Sequence, residues 1–80
     1  MSHQVPWTKR IVDEFVEEAM LSETEENILR TRIKGWSIVK QALEFGMSVS
    51  AVNNVISTLK EKYDRVQAYD PVLPPRDTGE

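Results

Sequence analysis

Side chains able to do covalent or metal chemistry are scarce in this chain of 80 residues, and their spacing excludes more than it permits. There is no cysteine, so neither a disulfide nor a thiolate metal site can form. The one histidine, His3, has no second ligand at metal-binding spacing. Asp13, Glu14, Glu17 and Glu18 crowd one segment, but no histidine, cysteine or phosphate-binding loop accompanies them, as an acid–base or nucleophilic centre requires. Ser22, Ser37 and Ser48 each stand just before an amphipathic stretch, which is where a serine caps a helix. The chain is therefore expected to be no enzyme and to use no metal or cofactor. What remains is recognition chemistry. Asn53 and Asn54 carry amides of the kind that pair bidentately with adenine in the major groove, and Val49 or Ala51 is shaped to touch a thymine methyl.

Such residues need a rigid element beneath them, and the hydrophobic period supplies helices throughout. Gly35, Gly46 and four prolines divide the chain, and no convincing period-two alternation lies between them. The pattern predicts helices over about 8–20, 23–34, 38–45 and 49–66, giving an all-α, four-helix domain over 1–66 and an irregular, proline-containing tail over 67–80. The first is entered through Pro6 or capped by Thr8, and its apolar face comprises Ile11, Val12, Phe15, Val16, Ala19 and Met20. Ser22 and Glu25 have the spacing of a capping box for the second, whose buried stripe is Ile28, Leu29 and Ile33. Gly35 ends that helix at or near a left-handed position. Ile38, Ala42 and Phe45 face inward on the third. On the fourth, Val49, Val52, Val55, Ile56, Leu59, Tyr63 and Val66 form an apolar arc opposite Ser50, Asn53, Asn54, Ser57 and Glu61.

The junction of the third and fourth helices has the requirements of a helix-turn-helix. Ala42 is small where a second helix crosses closely. Gly46, four residues on, tolerates a positive φ, and the apolar Met47 follows it to plug the angle. Val52 and Val55 then lock the second helix onto the first. Residues 21–63 also resemble, without a gap, the DNA-binding domain of LuxR/GerE-type regulators and region four of sigma factors. Leu21, Ser22, Glu23 and Glu25 match the opening of the scaffold helix, Ile28 and Leu29 its apolar pair, and Gly35, Trp36 and Ser37 the following turn. Ala42, Gly46, Met47, Ser48 and Val52 match the turn and the recognition helix. Those families usually set Lys or Arg just after the turn and again midway along the recognition helix. Here Val49, Ser50, Asn53 and Ile56 stand there, and the exposed face is polar and neutral.

The resemblance implies a transcription regulator of bacterial or phage type that binds double-stranded DNA. Ser48, Val49, Ser50, Asn53, Asn54 and Ser57 would face the major groove, and Arg30, Arg32, Lys34, Lys40 and Lys60 would contact phosphates. The formal charge of −3 hides an asymmetry compatible with that partner. Residues 11–26 hold seven acids and no base, whereas 27–65 hold seven bases against three acids, a local net charge of +4. The alternative is an interaction module that keeps the fold of sigma region four and acts on RNA polymerase or a host regulator through its acidic first helix. So few cations predict modest affinity per chain. Together with the wide apolar face of the first helix, this predicts a homodimer joined through that helix or the end of the fourth. No apolar run approaches the roughly 18 residues of a membrane span and no secretory signal opens the chain, so a cytoplasmic protein without a membrane partner is expected.

Overall fold

The computed structural model describes residues 6–75; His3 lies outside them. The described residues form four helices in order: α1 (Lys9–Glu18), α2 (Glu23–Ile33), α3 (Ile38–Phe45) and α4 (Val49–Gln67). Among the described residues there is no strand, and the domain is all-α. Every helix begins at a hydroxyl cap. The side chains of Thr8, Ser22, Ser37 and Ser48 accept from the backbone N–H groups of Ile11, Glu25, Lys40 and Ala51, at 3.3, 3.1, 3.1 and 3.0 Å. Each cap satisfies a donor that the first turn leaves without a partner and contributes about 1 kcal/mol. At α2 the cap is reciprocal, since Ser22 N–H donates to Glu25 Oε1 at 2.9 Å and completes the capping box.

Three helices end by the same device, a residue of positive φ that lets the following N–H reach back to a carbonyl five residues earlier. Gly35 (φ 98°) and Gly46 (φ 64°) do this after α2 and α3, with Trp36 N–H bonded to Thr31 O and Met47 N–H to Ala42 O. After α1 the position is taken by Met20 (φ 52°), and Leu21 N–H bonds to Val16 O. Met20 was expected on the apolar face of the first helix. It instead turns the chain, and its side chain is 84% exposed.

The core is organised by α4, which packs against each of the other three helices. Its inner face brings Val52, Leu59, Tyr63 and Val66 against Val12 and Phe15 of α1, Ile28 and Leu29 of α2, and Ala42 of α3. Trp7, Phe15 and Tyr63 form an aromatic cluster, with ring centroids 5.2–6.0 Å apart. Two expected core positions move outward: Ile33, at the last turn of α2, is exposed, and so is Val49, at the first turn of α4.

Three polar residues, Thr31, Gln41 and Asp70, are buried among the described residues. Gln41 is fully buried; its Nε2 donates to Ile28 O at 2.9 Å and to Thr31 Oγ1 at 2.8 Å, tying α3 to α2.

The segment after α4 is irregular, as its prolines predict, yet it belongs to the core. Asp70, Pro71, Val72 and Leu73 make a turn in which Leu73 N–H bonds to Asp70 O, while Val72 N–H bonds to Asp70 Oδ1 at 2.9 Å. This turn buries Leu73, and Tyr63 donates its hydroxyl to Pro74 O. The segment and α4 together cover α1. Val12 is 5% exposed and Phe15 1%, and Ile11, Val16 and Ala19 pack partly buried against the cluster. Part of the apolar surplus from which pairing through α1 was expected, Val12 and Phe15 above all, is thus covered within one chain.

Candidate nucleic-acid interface

The connection between α3 and α4 is Gly46-Met47-Ser48. Gly46 turns the chain in the left-handed conformation, Met47 packs partly buried against the core, and Ser48 caps α4. Because Val52, Leu59, Tyr63 and Val66 hold α4 by one side, the residues a half-turn away are left in solvent. Ser48, Val49, Ser50, Asn53, Asn54 and Ser57 are all exposed. Ser50, Asn53, Asn54 and Ser57 follow the i, i+3, i+4, i+7 spacing and share one face. No acidic residue stands in the first turn of α4, so the positive end of its dipole is not neutralised from within the helix.

The cations divide into two groups. Arg30 is committed to internal pairing: Nε lies 2.8 Å from Glu26 and Nη2 3.0 Å from Asp13 of α1. The Glu26 and Asp13 carboxylates raise the Arg30 pKa further above its ordinary value. Lys9 and Arg30 in turn hold the Asp13 carboxyl below its usual range. Lys62 is likewise engaged, with Nζ 2.9 Å from both carboxylate oxygens of Glu25 across the α2–α4 junction. Burial pushes the Glu25 carboxyl upward, but Ser22 N–H and Lys62 outweigh it, and the net shift is downward. Arg32 bonds the Trp36 carbonyl at 3.0 Å, and Lys40 lies 4.3 Å from the centroid of the Trp36 ring. Lys34 and Lys60 are exposed and take part in none of these contacts.

Of the five expected phosphate contacts, Arg30 therefore sits in a bridge between α1 and α2. Its i, i+4 spacing from Glu26 signals half of that bridge in the sequence; the link to Asp13, 17 residues away, has no local signal. Trp36 stacks on Phe45 with ring centroids 6.0 Å apart, as a packing anchor for α3. Sequence reasoning missed Val39 and Leu43. They were placed on no face, and they emerge on the outer side of α3, 59% and 77% exposed.

No protein-family model, curated protein or solved structure matches the chain. Among the described residues no helix is long and apolar enough to cross a membrane.

Proposed function

We propose that α3, the Gly46-Met47-Ser48 turn and α4 act as a helix-turn-helix that lays α4 in the major groove of double-stranded DNA, in a transcription regulator of bacterial or phage type. The observation that carries this reading is the outer face of α4. Six residues at its amino-terminal end are exposed together, all small or amide-bearing, with no acid in the first turn. An acid there would repel phosphate; a bulky apolar stripe would seek a protein partner instead. In the groove, Asn53 and Asn54 read adenine, Val49 meets a thymine methyl, and Ser48, Ser50 and Ser57 bond base edges or phosphate. Lys34 and Lys60 serve as phosphate contacts, being exposed and free of the ion pairs that hold Arg30 and Lys62.

Selection of bound duplexes from a random pool at low salt tests the proposal and finds the site in one experiment. Enrichment of a defined sequence is expected. On that sequence, Asn53→Ala or Asn54→Ala weakens binding by about 1–3 kcal/mol for whichever amide makes the base contact. Lys60→Ala weakens all sequences alike and flattens the salt dependence by about one unit. A pool that never enriches, or a selected site that both asparagine variants bind normally, overturns base reading by α4.

A second reading draws on the internal pairing of Arg30 and Lys62, which lowers the positive charge available to a polyanion. On that reading the domain acts on RNA polymerase or a host regulator, as the resemblance to sigma region four implies, through the exposed Glu17 and Glu18 of α1. Failure to shift random DNA at low salt, with retention of purified polymerase on the immobilised chain, selects it.

A further inference from the structure

The outer face of α3 combines three features that the DNA reading does not use. The first is apolar. Val39 and Leu43, one turn apart, are 59% and 77% exposed and form one stripe. The second is the order of the charges beside that stripe. Lys40 and Glu44 each follow an apolar residue by one position, so both lie on the same flank, again one turn apart. Lys40 stands in the first turn of α3, at the positive end of the helix dipole, and Glu44 in the last turn, at the negative end. Each charge is therefore at the end of its own helix that disfavours it.

The third feature is that these two charges do not relieve each other. Lys40 lies over the Trp36 ring, and among the described residues no ion pair engages Lys40 or Glu44.

We infer that this face docks a second copy of the chain, α3 against α3 in antiparallel orientation about a two-fold axis. In such an isologous contact residue i meets residue j and residue j meets residue i. Val39 of one copy packs against Leu43 of the other, twice over. Equal flanks of two antiparallel helices face each other, so Lys40 meets Glu44 of the second copy and Glu44 meets its Lys40. The antiparallel dipoles add to this pairing, because each charge now lies beside the end of the neighbouring helix that favours it. A parallel arrangement would bring unlike flanks together and leave both charges without partners. The complementarity selects this chain itself as the occupant, since the pattern is its own complement under a two-fold rotation.

An eight-residue helix is only about 12 Å long, so the seam is far smaller than the roughly 1,600 Å² of a standard stable interface. The dimer is accordingly weak, with a dissociation constant in the range of about 0.1–1 mM.

Sedimentation equilibrium of the full chain without DNA, up to about 1 mM, tests the inference within that range. The wild-type chain should show a monomer–dimer equilibrium, and Leu43→Glu should be monomeric throughout with an unchanged thermal melt, since the side chain is exposed. Lys40→Glu or Glu44→Lys alone turns two attractive pairs into repulsive ones and should weaken the dimer about five-fold. The double reversal K40E/E44K should recover the wild-type constant to within about three-fold, because the pairs are restored while the dipole contribution is reversed. Methyl resonances of Val39 and Leu43 should shift on dilution, and those of α1 should not. A wild-type chain that stays monomeric gives the face to some other partner and overturns the proposal. So does a double reversal no tighter than the single ones, or dilution shifts confined to other helices. DNA is absent from every arm, so the result does not depend on base reading by α4.

Discussion

Met20 holds a left-handed backbone conformation that costs a side-chain-bearing residue about 1–2 kcal/mol and glycine almost nothing. Its side chain is exposed and contributes little in return. Met20→Gly should therefore stabilise the domain by about 1 kcal/mol, after the entropy that glycine loses on folding, and chemical denaturation checks it. Glu14 shows strain of an electrostatic kind. Its carboxyl faces the buried carboxyl of Asp70, and the Glu14 pKa is raised by that contact first and by burial second. Below the ordinary glutamate value of about 4.3 the carboxyl is protonated in both folded and unfolded chains and no penalty arises. As pH rises through that value toward the raised one, the unfolded chain releases its proton first and the folded state loses stability. Glu14→Gln keeps a donor for Asp70 at every pH. Its melting temperature should exceed that of wild type at about pH 7, with the gap closing at about pH 3. An equal gap at both values would show that the carboxyl pair is not its source.

Between α2 and α3 the joint is partly polar. Gln41 Nε2 bonds Ile28 O and Thr31 Oγ1 in a site closed to water, while its Oε1 has no hydrogen-bond partner. Removing the side chain leaves a cavity and takes one partner from the Ile28 carbonyl. Gln41→Ala should therefore cost about 2–3 kcal/mol, far more than truncating an exposed residue such as Leu43 of the same helix. Equal effects of the two substitutions in a urea titration would mean that α3 is not held by this contact. The helix ends were easier to read than this joint. Serine before an amphipathic run and glycine after one are local rules, and Ser22, Ser37, Ser48, Gly35 and Gly46 all follow them.

For the molecule as a whole, the segment after α4 decides how the first helix is used. Leu73 is 2% exposed, and its neighbours Asp70 and Pro74 bond or face α1 and α4. Leu73→Ala should destabilise the domain by about 2–4 kcal/mol, although it lies in a segment whose prolines read as an irregular tail. A near-neutral thermal melt would mean that 70–75 is not part of the core in solution. With this segment in place the apolar face of α1 is largely covered within one chain, and among the described residues Val39 and Leu43 form an exposed apolar stripe on α3.

The number of helices, their order and their ends, apart from the end of α1 at which Met20 turns the chain, were legible in the sequence, because each depends on residues within one or two turns of one another. Ser22 caps the helix that Gly35 closes, and Gly46 must sit where the chain reverses between α3 and α4. The polar outer face of α4 was legible for the same reason: a period of 3.6 residues assigns Ser50, Asn53, Asn54 and Ser57 to one side whatever packs on the other. Partners distant in the chain could not be read this way. Asp13 meeting Arg30, Glu25 meeting Lys62, Gln41 reaching Ile28 and Asp70 facing Glu14 join segments whose separation carries no periodic signal. Only tertiary packing settles which of two chemically similar side chains is spent inside the molecule and which is left for a partner. Arg30 is held between two acids while Lys60 faces solvent, and Val12 is covered while Leu43 is bare.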